Sequence, residues 1–345
     1  MLHRLAWITL CCLVLLIFVG AIVRVTGSGL GCPDWPTCWG CLIPPTQAQQ
    51  IDVQKLDLEK FKRHAARHGI DPETITQDTI LESFDPVHTW IEFINRLTSL
   101  PLGLAALMLA LFSFAAKRHR RWMIFLSWVS LLDVIANAVM GAMVVRSGLK
   151  PGIITAHLAL AFLLIIVLVS VIWLTRSQGG LAASTPVSNK SRLLWVSLIF
   201  FGCLFGEGIL GSQVREQTDQ LIKVTESADN DSGEKADRSV WIESLEKTLV
   251  YKIHRSFSWT LLATGLLIFV WSRKLTSISA NEPKIILAIV LAMMIMGIIM
   301  AHIAVFQVVQ VLHVGFTSIL LAVTWHWILR LFSSQTSTET HSPAG

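Results

Sequence analysis

The feature that most restricts the fold lies near the C-terminus, where residues 285–329 contain no Lys, Arg, Asp or Glu. As one helix this stretch would be about 67 Å long, whereas the hydrocarbon core of a bilayer is about 30 Å thick. The stretch must therefore fold back on itself. We place a tight turn near 306–309, between helices of 285–305 and 309–330.

The rest of the chain also has the composition of a polytopic membrane protein. Hydrophobic residues make up 53% and charged residues 15% of the sequence, and the mean hydropathy is +0.60. Six further apolar runs are long enough to cross a bilayer: 5–25, 90–116, 122–145, 153–175, 193–211 and 252–272. We therefore predict an all-α membrane protein with eight transmembrane helices.

The basic residues predict the orientation in the membrane. Lys and Arg cluster beside the apolar runs, for example at 117–121 and 273–274, as cytoplasmic ends do. Both termini are then cytoplasmic, and the net charge of +5 is no sign of nucleic acid.

Residues 5–23 could be a signal peptide, but no small-residue cleavage site follows, so we favour a retained helix. No transit peptide is recognisable, which favours a bacterial plasma membrane.

The segments between the predicted helices differ in character. The outer loops 27–89 and 212–250 are long and polar, and each could be a lid or a solvated insertion. Residues 177–192 have the Gly, Ser and Pro content of a cytoplasmic linker. Residues 332–345 form a polar tail that we expect to be disordered.

An internal repeat is the next feature. Three patterns recur in the same order: "GAIVR" (20–24) with "GSQVR" (211–215), "EFINR" (92–96) with "YKIHR" (251–255), and a Gly sixteen residues before a His at Gly141/His157 and Gly297/His313. We therefore predict two duplicated four-helix bundles, 1–176 and 193–331. Each half has an even number of helices, so a pseudo-twofold axis along the membrane normal should relate them.

Three of the eleven histidines stand at one depth, near the outer ends of even-numbered helices: His157, His254 and His313. Facing imidazoles on bundle helices hold b-type haems. We predict that His254 and His313 ligate the iron of a resident haem b in the second half. In the first half His157 is the matching ligand, but Asn95 replaces its partner, which would leave one face of an iron open beside Glu92.

The remaining histidines are interpreted without a role in haem binding. His302 is assigned to packing within its helix, and His326 to the membrane interface. The others are assigned to solvated loops and tails: His3, His64, His68, His88, His119 and His341.

The outer loop carries a cysteine motif, "RVTGSGLGCPDWPTCWGCLIPP" (24–45). Because this loop faces an oxidising compartment, a disulfide between Cys32 and Cys38 is reasonable. Cys41 is an alternative partner or a free thiol. Three other cysteines lie within apolar helices and are interpreted as small apolar residues: Cys11, Cys12 and Cys203.

Several of these motifs together resemble the haem A synthase family. The resemblance rests on "RVTGSGLGCPDWPTC" with "IPP", the acid and Arg at the start of the second helix, and "SGLKPG" before His157. It implies an oxidoreductase that converts the methyl substituent of haem O to the formyl group of haem A for terminal oxidases. It also implies haem b in the second half, at His254 and His313, and the substrate haem in the first.

The resemblance assigns roles to the first-half residues. Glu92 is the candidate catalytic acid, expected to handle protons, and Arg96 is expected to contact a haem propionate or to hold Glu92. The alternative is a purely structural ion pair between Glu92 and Arg96 at the start of a helix. The family pattern has His where this chain has Asn95, and His88 is the other residue that could supply a ligand.

Two other functions compete with the enzyme. A non-catalytic dihaem electron carrier of b type needs the same histidines but no acid, and a transporter would also explain duplicated halves. No Gly- or Pro-broken helix at mid-membrane supports the transporter. The partners expected of the enzyme are haem O, membrane lipid and an electron donor of unknown identity, with a haem O synthase and a second copy of the chain as options.

Overall fold

The computed structural model describes residues 1–34, 37–59, 61–62, 71–117, 119–176, 187–229, 238–273 and 281–339. Those residues form helices and loops without a β-strand, and eight helices are long and apolar enough to cross a membrane. In chain order they are α1 (Leu2–Val25), α2 (Pro86–Phe112), α3 (Arg120–Arg146), α4 (Pro151–Thr175), α5 (Val187–Asp229), α6 (Leu249–Arg273), α7 (Glu282–His302) and α8 (Gln307–Glu339). The prediction of an all-α protein with eight spans is confirmed.

The turn between α7 and α8 lies at 303–306, slightly before its predicted place at 306–309. Two glutamines in the first turn of α8 explain this position. Gln310 Nε2 donates to Val305 O (3.1 Å), and Gln307 Nε2 donates to Val25 O at the end of α1 (3.1 Å). One amide thus satisfies a carbonyl that the end of α1 leaves unpaired, and the other satisfies a carbonyl of the turn itself.

The largest difference from the predicted boundaries is in α5. It spans 43 residues, or roughly 64 Å, and so extends well beyond the bilayer. Much of the predicted outer loop 212–250 is therefore helical, and a second short helix, Arg238–Lys247, follows. Residues 212–229 contain no Gly or Pro, and about half of them are good helix formers (Ala, Leu, Gln, Glu, Lys and Arg), so the helix can continue beyond the membrane.

The predicted linker and tail also change at their edges. Residues 187–192 belong to α5, and the rest of the linker lies outside the described residues. The last helix, α8, continues to Glu339, so residues 332–339 of the predicted disordered tail are helical. Residues 340–345, with His341, lie outside the described residues, as do His64 and His68.

Helix α2 begins at Pro86, four residues before its predicted start, because Asp85 caps it. Asp85 Oδ1 accepts hydrogen bonds from the backbone N–H groups of Val87 (2.7 Å) and His88 (3.0 Å). The bond from His88 favours the ionised carboxylate and lowers the pKa of Asp85 below its usual value. The cap and the proline together fix the first turns of α2, which carry Glu92 and Arg96.

The helices contact one another in two rings of the same order. In the first ring α1 contacts α2, α2 contacts α3, α3 contacts α4 and α4 contacts α1. The second ring has the same sequence of contacts among α5, α6, α7 and α8. Contacts between the rings run from α1 to α8, from α4 to α8 and from α4 to α5. This arrangement is compatible with a duplication, which stays a prediction.

Two close ring-to-glycine contacts join the halves. The ring of Phe18 on α1 lies directly against Gly315 on α8, and the ring of Phe162 on α4 lies against Gly208 on α5. Any side chain at either glycine would overlap the ring. Phe162 is fully buried, so this contact belongs to the protein core rather than to the lipid-facing surface.

Polar contacts also cross between the halves at both ends of the bundle. At one end Asp219 of α5 lies 2.8 Å from Arg215 Nη2 and 3.6 Å from Nη2 of Arg24, at the end of α1. At the other end Arg176 Nη1 lies 2.9 Å from His326 Nε2 on α8. His326 therefore has a polar partner where an interfacial residue was expected.

The loop that follows α1 has a small apolar core of its own. Its buried members are Cys32, Cys38, Trp39, Ile51, Leu56 and Ile80. Phe84 and Phe93 pack against this cluster, and Phe93 is part of α2. The described part of the loop is therefore folded onto the start of α2.

Candidate functional site

The acid at the start of α2 is buried and both of its oxygens have partners. Glu92 is 2% exposed. Its Oε2 accepts a hydrogen bond from the backbone N–H of Cys32 (2.7 Å), and its Oε1 forms an ion pair with Arg96 Nη2. The carboxylate thus connects α2 to the loop that carries Cys32, Cys38 and Cys41 (the cysteine loop, residues 32–41).

Arg96 makes the same connection through three backbone carbonyls. Its Nη1 donates to Asp34 O (2.9 Å) and Thr37 O (3.1 Å), and its Nη2 donates to Cys32 O (3.2 Å). The fixed fork of a guanidinium suits several acceptors at once. Of the two roles predicted for Arg96, holding Glu92 is the one that these contacts support.

The cysteine loop is a tight turn. The sulfurs of Cys32 and Cys38 lie at bonding distance, with their Cα atoms 4.8 Å apart. Cys38 N donates to Cys41 O (2.9 Å) and Cys41 N donates to Cys38 O (3.2 Å), while the Cys41 thiol is free. The turn between them has Trp39 and Gly40 at positive φ, 56° and 73°. The geometry therefore favours Cys38 over Cys41 as the partner of Cys32.

We expect the isolated protein to contain this disulfide. Peptide mapping by mass spectrometry without reductant should recover Cys32 and Cys38 in one cross-linked species, with Cys41 alkylated. Finding both thiols free, or Cys41 linked to either one, would contradict the pairing.

In the first half, Asn95 of α2 and His157 of α4 each lie beside a glycine of a neighbouring helix, Gly20 of α1 and Gly141 of α3. A Cβ atom at Gly141 would lie 3.6 Å from His157 Cε1, and one at Gly20 would lie 3.9 Å from Asn95 Oδ1. Asn95 Oδ1 and His157 Nδ1 are buried and, in the part of the chain that the structure describes, have no hydrogen-bond partner. Small residues here leave room beside two polar groups that lack partners.

The second-half core has the matching arrangement with two imidazoles. A Cβ atom at Gly211 would lie 3.3 Å from His254 Cε1. His313 lies on α8, which packs against α5 and α7 in the same ring of helices. The Nδ1 atoms of both rings are buried without a hydrogen bond to any described residue.

These features fit haem better than a metal ion held by protein alone. Among the described residues no three His, Cys, Asp or Glu side chains converge on one point. A haem needs at most two axial ligands, since the porphyrin supplies the other four. Two imidazoles in the second core and one in the first have that composition, and a glycine lies beside two of the three, His157 and His254.

The other histidines that the structure describes are not placed in either core by their contacts. His3 Nδ1 lies 2.9 Å from Thr175 Oγ1, and His302 is the last residue of α7. His88, the other candidate ligand for the first half, is about half exposed and lies 3.9 Å from Asp85. Its neighbours give no support to a role as an iron ligand.

Sequence reasoning missed a buried acid in the second core. Glu207 of α5 is 6% exposed, and its Oε1 lies 3.0 Å from His254 Nδ1. A signal was present, because an acid within the apolar run 193–211 is costly and by default functional. The prediction considered only the histidines of that half.

Comparison with known proteins was consistent over nearly the whole chain. The COX15-CtaA family model, described as "Cytochrome oxidase assembly protein", matches residues 3–325. A relative from Shewanella oneidensis, named "Heme A synthase", is 31% identical over 60% of this chain and 56% of its own length. The chain thus spans little more than half of that relative.

Two relatives of the same name match over a longer range. The protein from Shouchella clausii is 26% identical over 86% of this chain and 83% of its own length. The protein from Sphingopyxis alaskensis is 26% identical over 98% and 94%, respectively. The similarity therefore includes both helical rings and the cysteine loop.

Proposed function

The chain belongs to the COX15-CtaA family of cytochrome oxidase assembly proteins, and we propose that it acts as a haem A synthase. In this reaction the methyl substituent of haem O is oxidised to the formyl group of haem A. The name shared by its relatives in several bacteria supports the proposal. Its expected location is the bacterial plasma membrane, with both termini cytoplasmic.

The observation that carries the proposal is the difference between the two cores. In the second half His254 and His313 would ligate a resident haem b, which supplies one-electron transfer when bound. In the first half His157 would hold haem O, and Asn95 offers no second imidazole. A closed site suits electron transfer, and a site with an open face suits chemistry on its own haem.

The first-half residues then have distinct tasks. Arg96 holds Glu92 and the cysteine loop beside the outer end of the substrate core. Glu92 is the buried carboxylate of this region and is proposed to accept or return a proton as the methyl carbon is oxidised. Its bonds to Cys32 and Arg96 keep it in one position while the substrate is bound.

A dihaem electron carrier is the second candidate function. One observation favours it, because both oxygens of Glu92 are already engaged, as a purely structural acid would be. Asn95 weighs against it, since a bis-imidazole haem in the first half would need a second histidine there. The partners suggested above, a haem O synthase, an electron donor and a second copy of the chain, remain proposals.

The test is to identify the haems that the protein holds and makes. The protein is expressed with a haem O synthase in a host that lacks haem A, and haem is extracted from the purified protein and the membranes. We expect haem b with the protein and haem A in the membranes. Haem b with unconverted haem O would contradict the synthase and favour the electron carrier.

A further inference from the structure

Glu207 is a buried acid for which the proposed reaction has no use. It lies on α5, one turn before Gly211, and is 6% exposed. Its Oε1 accepts a hydrogen bond from Ser258 Oγ (2.8 Å) and lies 3.0 Å from His254 Nδ1. In the described residues no Lys or Arg forms an ion pair with it.

A carboxylate in this position needs a strong donor. Removing an ionised group from water costs several kcal/mol unless a partner compensates. One hydroxyl is weak compensation, and Glu207 Oε2 is buried with no partner in the described part of the protein. The nearest further donor is the His254 ring, whose Nδ1 also lacks a hydrogen-bond partner there.

The geometry also determines which nitrogen of His254 is free for iron. Glu207 approaches the Nδ1 side, so Nε2 is the remaining ligand atom. A histidine that binds metal through one nitrogen usually donates its other N–H to a carboxylate or carbonyl, which fixes the ring and increases its basicity. A Cβ atom at Gly211 would lie 3.3 Å from Cε1 of His254, so a glycine at this position leaves room for the ring.

This support is confined to one of the three candidate ligands. The residue one turn before Gly20, the predicted counterpart of Gly211, is Leu16. His157 and His313 have no carboxylate at their Nδ1 atoms among the described contacts. A general need for an acid beside each haem would therefore not explain Glu207.

We propose that Glu207 is a positioning residue for the resident haem, accepting the Nδ1–H of His254 and making this imidazole a more electron-rich axial ligand. The inference rests on the proposed haem b of the second half. Glu207 Oε1 and His254 Nδ1 lie 3.0 Å apart but do not have hydrogen-bond geometry, so the proposed bond requires a small rotation of the ring. An electron-rich ligand stabilises the oxidised iron, and the haem potential is lower than it would be without Glu207.

The reduction potential of the purified holoprotein tests this directly. Glu207→Gln keeps the shape but removes the charge, and we expect its low-spin haem to be about tenfold easier to reduce, a shift of about +59 mV for one electron. Ser258→Ala removes the competing donor and leaves the carboxylate a stronger acceptor for His254. It should therefore shift the potential in the opposite direction.

The matched control is Glu216→Gln. Glu216 is a second buried acid on α5, nine residues and about 13 Å along the helix from Glu207, and it contacts Thr155 rather than His254, so Glu216→Gln should shift the potential less than Glu207→Gln does. Equal potentials in the Glu207→Gln, Ser258→Ala and parental proteins would overturn the inference and leave the haem assignment intact. A parental protein without a low-spin haem would overturn both. Opposite shifts would not arise from packing alone.

Discussion

Replacing His254 or His313 by alanine is expected to abolish the low-spin b-type spectrum of the resident haem. Each imidazole is proposed to supply one of two axial bonds, and the Nδ1 atoms of both rings are buried without a hydrogen bond to any described residue. A haem that loses one ligand becomes five-coordinate and high-spin or leaves the protein. The measurement is the reduced-minus-oxidised spectrum and the haem content of each purified variant.

A third histidine provides the control for this experiment. His302 is at the end of α7, outside both cores, and His302→Ala should retain the parental spectrum. An unchanged low-spin spectrum in either His254→Ala or His313→Ala would contradict the ligand assignment. Loss of the spectrum in all three variants would point to a damaged fold instead.

Glu92→Gln is expected to lower the conversion of haem O by about a hundredfold or more, the usual contribution of a positioned acid or base. The amide can still accept the hydrogen bond from Cys32 N, so the cysteine loop should stay in place. The resident haem spectrum should also persist, because Glu92 belongs to the first half. The measurements are haem A formation, the haem spectrum and the rate of loop proteolysis.

Arg96→Met separates catalysis from anchoring. It removes the donors to the carbonyls of Cys32, Asp34 and Thr37, and should release the loop to protease. If Glu92→Gln converts haem O at the parental rate, the acid is not catalytic and its ion pair is structural. If Glu92→Gln loses activity together with loop protection, as Arg96→Met should, an anchoring role explains the loss.

The number of helices could be predicted because charge is excluded from a bilayer core. The helix ends could not be predicted as well, since hydropathy reports where a helix meets water and not where it stops. The helix α5 shows this, because its polar extension to Asp229 has no Gly or Pro to end the helix and no long apolar run to reveal it. Likewise Gln307 connects the start of α8 to the end of α1 through a tertiary contact that hydropathy does not report.

The candidate site divides in a similar way. Spacing alone brought His157, His254 and His313 to attention, because a regular helix converts sequence distance into depth. The contacts of Arg96 could not be foreseen, since they depend on the path of a loop with positive-φ residues. Glu207 could have been found from its apolar surroundings, although its distance to His254 required the packing of α5 on α6.

The two close ring-to-glycine contacts between the halves are asymmetric. Both rings, Phe18 and Phe162, come from the first half and both receiving glycines from the second. On the predicted repeat alignment, two copies of the first half would press Phe18 against Ala159 and Phe162 against Ile17. Two copies of the second half would instead leave unfilled voids, which also destabilise a core. On that predicted alignment, the close packing requires one half that supplies rings and one that supplies glycines, so neither half could take the place of the other.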